Sequence, residues 1–266
     1  LFLLLDLKPS YEDDKDAIEM PPIHGDIQFD HVWFAYEEEN WILRDVSFTI
    51  KAGETVAFVG ATGAGKTTIL SLLTRNYDVQ KGAIYIDGID IKKVKIQSLR
   101  KQIGQMLQDV FLFSGTIHSN ISLRDDDIPN DKIEKAASFV GANQFIEKLP
   151  LKYDEPVLEK GSNFSIGQRQ LLSFARTMVH EPKMLILDEA TANIDTETEL
   201  LIQQSLEKMM SMGTMLIVAH RLSTIQHADK IIVLQNGKII EEGTHQALLK
   251  EKGYYYNLYR LQFENE

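Results

Sequence analysis

The sequence predicts an α/β fold in which buried strands alternate with helices to build a parallel sheet, joined to an antiparallel β subdomain and an inserted α-helical subdomain. Three observations lead there. Short apolar runs without polar alternation recur at residues 55–59, 184–187, 215–219 and 231–234, the pattern of strands covered on both faces. Helical periodicity follows the first of them, with apolar residues at Ile69, Leu70, Leu72 and Leu73. Residues from about 116 to 180 lack strand signals and carry mostly helical patterns.

Composition narrows the classes. A chain of 266 residues is long enough for one large domain or two modest ones with a substantial core. Apolar residues at 44% and charged residues at 25% are ordinary for a globular protein. The absence of Cys excludes a disulfide scaffold, a thiolate metal site and a Cys nucleophile. The 28 Lys and Arg against 39 Asp and Glu leave a net charge of −11, which argues against nucleic acid as a partner. No apolar run approaches the ~20 residues of a membrane-spanning helix. The chain begins Leu1-Phe2-Leu3-Leu4-Leu5, with no initiator Met and no basic segment ahead of it, and that run is too short for a signal-peptide core. The expectation is a piece cut from a longer polypeptide.

Residues 1–24 read as a linker. Leu1 to Leu7 end a helix that Pro9 stops, and the acidic stretch 12–16 with Pro21-Pro22 predicts an extended, solvated segment. From Gly25 to the end, 25–266, the pattern is that of one folded unit. Within it, 25–108 holds an antiparallel strand pair (Ile27, Phe29 and Val32-Trp33-Phe34, then Ile42-Leu43 through Ile50) and the first buried strand with its helix. Ile84-Tyr85-Ile86 running into Asp87-Gly88 predicts a strand entering a turn. Residues 109–180 form the helical subdomain, 181–243 the rest of the sheet core, and 244–266 C-terminal helices.

The first chemical motif is Gly60-Ala61-Thr62-Gly63-Ala64-Gly65-Lys66-Thr67, which fits G-x-x-x-x-G-K-[ST] between a buried strand and a helix. Glycines let backbone amides converge on phosphate oxygens, and the helix adds its N-terminal dipole. Lys66 reaches the β- and γ-phosphates, and the Thr67 hydroxyl ligates Mg²⁺. The predicted nucleotide site comprises Gly60, Thr62, Gly63, Ala64, Gly65, Lys66, Thr67 and the adjoining Thr68. The second motif is the apolar run 184–187 ending in Asp188-Glu189. In phosphate-loop proteins the Asp ending such a strand holds Mg²⁺. The carboxylate after it is placed to polarise the water that attacks the γ-phosphate.

Taken in order, these motifs and their neighbours resemble the nucleotide-binding domain of an ABC transporter of the exporter type, from the linker to the C-terminus. The resemblance implies a P-loop NTPase (RecA-like) core and an ATPase using ATP and Mg²⁺. Tyr36 takes the place of the family's aromatic that stacks on adenine. Gln108 matches the glutamine that reaches Mg²⁺ and the attacking water, and residues 109–117 are similar to the exporter loop that faces the coupling helices of the membrane domain. Phe164-Ser165-Ile166-Gly167-Gln168 occupies the place of the signature Leu-Ser-Gly-Gly-Gln, so Ser165, Gly167 and Gln168 contact the ATP of a partner domain. Glu159-Lys160-Gly161 resembles the loop that senses the membrane domain. Asp195 matches the family Asp at the domain pair, and His220 the switch histidine at the γ-phosphate. Glu189 is then the general base, with Lys66, Gln108 and His220 completing the catalytic set.

The departure is Ile166, where the family has Gly. Gly permits close approach and φ > 0, whereas a β-branched residue adds bulk and resists φ > 0. The expectation is a heterodimeric exporter in which this chain supplies an intact catalytic half and a weakened signature; the alternative is a symmetric homodimer that tolerates Ile166. Fused transmembrane domains, a second ATPase domain and a place on the cytoplasmic face of the membrane follow from the resemblance. A phosphate-loop kinase has no reason to carry the signature helix. A translational GTPase requires an Asn-Lys-x-Asp motif absent here, and a DNA-repair ATPase of this fold brings a coiled coil, zinc site or basic surface. An importer ATPase is disfavoured by the linker and by the segment after Gln108.

Overall fold

The computed structural model describes residues 13–107, 109–125, 127–188, 195–218 and 222–263. Twelve strands are present among them: β1 (Ile27–Ala35), β2 (Trp41–Ile50), β3 (Thr55–Val59), β4 (Lys81–Ile86), β5 (Ile89–Asp90), β6 (Ile103–Met106), β7 (Gly115–Thr116), β8 (Pro156–Val157), β9 (Met184–Asp188), β10 (Thr214–Val218), β11 (Lys230–Gln235) and β12 (Lys238–Gly243). They form a four-stranded sheet ordered β2-β1-β4-β5, a six-stranded sheet ordered β12-β11-β3-β10-β9-β6, and the short pair β7-β8.

The six-stranded sheet is the parallel core anticipated from the apolar runs, with β11, β3, β10, β9 and β6 all parallel. Its antiparallel edge, β12, was not expected. It carries Lys238, Glu241 and Glu242, charges that suit an edge strand, in place of an apolar run. Strand β6 was also missed, since four residues containing a Gly and a Gln give a weak pattern.

Alternate residues of the central strands point to opposite faces and split the core in two. Ala57, Leu185, Leu187, Ile217 and Val233 pack with Leu171, Leu172 and Phe174 of the helix Ile166–Met178 and with Leu248 and Tyr255 of the C-terminal helices His245–Glu251 and Tyr254–Phe263. Val56, Phe58, Ile186, Leu216 and Ile232 pack instead against Ile69 to Leu73 of the helix Lys66–Leu73 and against the four-stranded sheet. Burying both faces takes every residue of β3 and β10 out of solvent. The helical insert contains the expected helices, Ile117–Ile121, Asn130–Phe139, Asn143–Ile146 and Ile166–Met178, and also the β7-β8 pair, too short to show in a sequence pattern. Asp87 and Gly88 both take positive φ (51° and 76°), the geometry of a tight hairpin turn between β4 and β5.

The solvated linker needs correction over residues 13–24. Met20 and Ile23 are buried, and Ile18 bridges Val94. Gln102 accepts from the Ile23 amide and donates to the Met20 and Pro21 carbonyls, while the Asp87 carboxylate accepts from the amides of His24, Gly25 and Asp26. The segment is extended, as its prolines require, yet it is strapped to the body because its apolar residues find a core and its amides find side-chain acceptors. The helix expected over residues 1–7 lies outside the described residues.

Candidate functional site

Four adjacent parallel strands end level with one another. In the registry, Val218 of β10 sits opposite both Phe58 of β3 and Asp188 of β9, and Leu187 of β9 opposite Met106 of β6. Their carboxyl ends form the rim where ligands of open α/β sheets bind. After β3 comes the loop 60–65 and then the helix Lys66–Leu73. Gly63 (φ 81°) meets nothing where a Cβ would be, so it is backbone conformation alone that calls for glycine there. Gly65 is the N-cap at φ 104°, and a Cβ on it would press into the Leu43 side chain at 2.6 Å. No acidic residue stands in the first turn, so the amide end of this helix is left positive.

Lys66 is buried, and its Nζ donates to the Gly60 carbonyl (2.8 Å) and the Ala61 carbonyl (3.2 Å), arching over the loop. Burial pushes the ammonium below the ordinary lysine range, and the Asp188 carboxylate opposes that shift. Lys66 and Asp188 therefore sense each other across the sheet rim. Together with Tyr36, Ile42, Thr62, Gly63, Gly65, Thr67, Thr68 and Val218 they line a cavity of about 510 Å³, inside the range for small-molecule sites. Gly60 and Ala64 belong to the same loop, Ala64 being buried. Tyr36 follows β1, is half exposed, and its hydroxyl shares a hydrogen bond with the Thr68 Oγ1 at 3.1 Å.

The donor set suits a hard divalent cation. The Thr67 hydroxyl and the Asp188 carboxylate face the same cavity as Lys66, and oxygen ligands of this kind are what Mg²⁺ takes. No group of three or more His, Cys, Asp or Glu able to hold a metal is found among the described residues.

Gln108, Glu189 and His220 lie outside the described residues. In sequence they come directly after the rim: Glu189 follows Asp188, and Gln108 and His220 follow closely on the last residues of β6 and β10. Ile42 and Val218 are cavity residues that sequence reasoning missed, since an aliphatic at a strand end belongs to no motif. The signal was present for Val218, which is the next-to-last residue of the apolar run that precedes His220.

Ser165, Ile166, Gly167 and Gln168 do not line this cavity. They open the helix Ile166–Met178 in the helical insert, where Ser165 is the N-cap. Its hydroxyl accepts from the Gln168 amide (3.2 Å) and the Gln168 side chain accepts from the Ser165 amide (3.0 Å), a reciprocal capping box. Ile166 is the first helical residue and is 41% exposed. It is not among the residues at positive φ, which corrects the expected backbone strain: a helical first-turn position needs no glycine, so only the bulk of the side chain distinguishes Ile166. The capping box satisfies two of the four amides that a helix N-terminus leaves over, so the amides of Ile166 and Gly167 remain. Asp195 caps the helix Thr196–Met210 by accepting from the Thr198 amide at 2.9 Å, and that bond holds its carboxyl below the usual range.

A second cavity, about 680 Å³, lies between the core and the helical insert, lined in part by Gln97, Arg100, Lys101, Leu123, Arg176 and His180. Arg176 donates to the carbonyls of Phe111 and Asn120 and lies 5.9 Å from the Phe113 ring, while Phe111 and Phe113 are each half exposed. In the neighbouring loop, a Cβ on Gly161 would touch Leu112, so the segments 109–117 and 159–161 pack together.

A family model described as ABC transporter matches residues 43–192. A Bacillus subtilis protein named probable multidrug resistance ABC transporter ATP-binding/permease protein YheH is 49% identical over 262 residues, 98% of this chain and 39% of that one. The ATP-dependent lipid A-core flippase of Syntrophus aciditrophicus is 44% identical over 266 residues, 100% of this chain and 44% of its own. Among solved structures, a bacterial Atm1-family ABC exporter with ATP bound superposes with a TM-score of 0.91 at 39% identity, covering 98% of this chain and 46% of that one. The chain thus spans less than half the length of these relatives.

Proposed function

Because the chain belongs to the ABC transporter family, we propose that it is the ATP-hydrolysing nucleotide-binding domain of an exporter, working as one half of a head-to-tail domain pair. The observation that carries this is the cavity at the sheet rim, where a phosphate loop, a buried Lys66, the Thr67 hydroxyl, Asp188 and the half-exposed Tyr36 face one another. In this reading Tyr36 stacks on adenine, and the loop amides with Lys66 hold the β- and γ-phosphates. Thr67, Asp188 and Gln108 would hold Mg²⁺, which when bound would neutralise charge on the phosphate oxygens. Glu189 takes the proton of the attacking water, and Gln108 and His220 position that water. Ser165, Gly167 and Gln168 serve the ATP of the partner domain, with Ile166 and Asp195 at the junction of the two. The transmembrane domains are fused ahead of the chain at the cytoplasmic membrane face, and their coupling segments rest in the larger cavity beside Phe111 and Phe113. The domain limits read from sequence, 25–266 after a linker at 1–24, belong to the same proposal.

The pair is a heterodimer with one degenerate site if the exposed Ile166 side chain obstructs the partner's phosphate. Its unstrained helical backbone favours the second reading, a symmetric homodimer. The cargo is not written in this domain: relatives of similar identity are named for multidrug resistance and for lipid A-core flipping. Phosphate release per chain, measured against chain concentration with ATP and Mg²⁺, tests the proposal. The expected rate rises with concentration, and Glu189→Gln abolishes it while ATP still binds. A rate that ignores concentration, or a fully active Glu189→Gln variant, overturns it. In a heterodimer, Glu189→Gln stops turnover and the matching change in the partner does little; equal loss from both refutes the asymmetry.

A further inference from the structure

We propose that Thr68, Tyr77 and Gln80 are positioning residues that lock Tyr36 into a preformed base platform whose distance from the phosphate loop is fixed by one continuous stretch of chain. The inference rests on the nucleotide reading of the rim cavity and extends it from the phosphates to the base.

Tyr36 stands on the short connection between β1 and β2, where an exposed aromatic would ordinarily sample several rotamers. Here it is held from three sides. Its hydroxyl meets the Thr68 Oγ1, and Thr68 is buried in the helix that begins with Lys66. Its ring packs edge-on against Phe34 (4.8 Å between centroids, 88°) and against Tyr77 (5.1 Å, 83°). Phe34 and Tyr77 also touch, at 5.6 Å and a tilt of 53°, so the three rings close a cluster in which both contacts of Tyr36 have the edge-to-face geometry that aromatic quadrupoles favour. Beneath it, the Gln80 side chain accepts from the Ala35 amide (3.1 Å) and donates to the Ala35 carbonyl (2.7 Å), clamping the residue before Tyr36. The Gln80 amide donates to Trp33 (3.2 Å).

All three holding residues lie between 68 and 80, the stretch that leaves the phosphate loop and passes under β1. The stretch of chain that follows the phosphate loop is therefore what sets the platform. A platform already in place loses little freedom when a base stacks on it, and this is how preorganisation raises affinity.

Binding of ATP and of inorganic tripolyphosphate, each with Mg²⁺, measured by calorimetry on the full chain, separates base from phosphate. The wild-type chain is expected to prefer ATP by about tenfold or more, and Tyr36→Ala to erase that preference, as the usual worth of base stacking implies. Tyr77→Ala and Gln80→Ala are expected to weaken ATP by roughly 3- to 10-fold and leave tripolyphosphate unchanged, with Tyr77→Phe restoring wild-type affinity. Thr68 lines the nucleotide cavity as well, so Thr68→Val is expected to weaken ATP more than it weakens tripolyphosphate. Melting midpoints identify any variant that has lost its fold, and Tyr77→Phe then serves against Tyr77→Leu. Unchanged ATP affinity in Tyr77→Ala and Gln80→Ala overturns the proposal, as does equal weakening of both ligands. A wild-type chain that binds neither ligand refutes the nucleotide reading itself.

Discussion

Replacing Ile166 by Gly pulls stability and activity in opposite directions. Ile166 is the first residue of the helix Ile166–Met178, behind an N-cap Ser165 whose capping box with Gln168 does not involve the Ile166 side chain. Gly costs roughly 0.5 kcal/mol more than Ile within a helix. With 41% of the residue already exposed, the side chain forfeits about 1 kcal/mol of burial. Together these lower the melting midpoint by roughly 3–5 °C in a chain of this size. The gain lies in the pair. If the sec-butyl side chain shields the amides at 166 and 167 from the partner's phosphate, its removal uncovers them, and a single preorganised donor to transition-state charge is worth about 10²–10³ in rate. Hydrolysis by the chain paired with itself is therefore expected to rise at least about tenfold, read as phosphate release per chain at saturating ATP alongside a thermal melt. A rate that stays level or drops with the melting midpoint refutes the reasoning. It would mean that the side chain does not obstruct the phosphate, and the symmetric reading with a tolerated Ile166 would stand.

Two further expectations concern the body of the domain. Gln102→Ala removes the three bonds that strap residues 20–23, at about 1 kcal/mol each at most, so limited proteolysis should cut the segment faster while ATP affinity holds; unchanged protection counts against the strap. His245 is buried with its Nδ1 2.7 Å from the Tyr255 hydroxyl, and burial depresses its pKa below the ordinary value of 6.5. The unfolded chain then takes the proton first, so stability is complete above about pH 6.5 and falls as the pH drops below it. His245→Gln should flatten that fall in urea titrations between about pH 7 and 5, and an identical pH profile in the variant would place the effect elsewhere, His180 being the other histidine among the described residues that burial depresses.

How much of this was legible in the sequence depended on how local the physics is. The runs that became β3, β9, β10 and β11 were readable because a strand buried on both faces must be apolar throughout. The phosphate loop was readable because its glycines, Lys66 and Thr67 act within one turn of chain. Strand β6 and edge strand β12 were not, since pairing with a neighbour already in place supplies what their own residues lack. The same limit hid the linker strap: Gln102 and Asp87 satisfy amides some 60 to 80 positions away, and nothing near Met20 or Ile23 signals it. At Ile166 the residue type suggested a strained backbone, and the helix start made that inference inapplicable. The platform around Tyr36 combines Thr68, Tyr77 and Gln80, three residues that share no motif and meet only because β1 lies over the stretch that follows the phosphate loop.

The head-to-tail pair proposed above rests on two features that lie apart in one chain, the rim cavity and the helix that opens at Ile166. The cavity offers Lys66, the loop amides, Asp188 and the Tyr36 face, all on the side of the sheet rim. The other amides suited to phosphate, at Ile166 and Gly167, begin a helix of the inserted subdomain and line no part of that cavity. Each chain thus holds one cradle and one surplus set of donors, and in the proposed pair two chains set head to tail would satisfy both at once. Net charge does not forbid this. A chain at −11 repels anions and its own kind only over the Debye length, about 8 Å at physiological salt, whereas backbone amides and Lys66 act at contact. In the pair proposed above, phosphate placed between the two chains supplies the opposite partner for donors on both, so on that proposal the nucleotide joins them. On the same proposal, hydrolysis and release of the γ-phosphate leave ADP on one chain's cradle alone, and the free energy of pairing falls with the lost shared contacts.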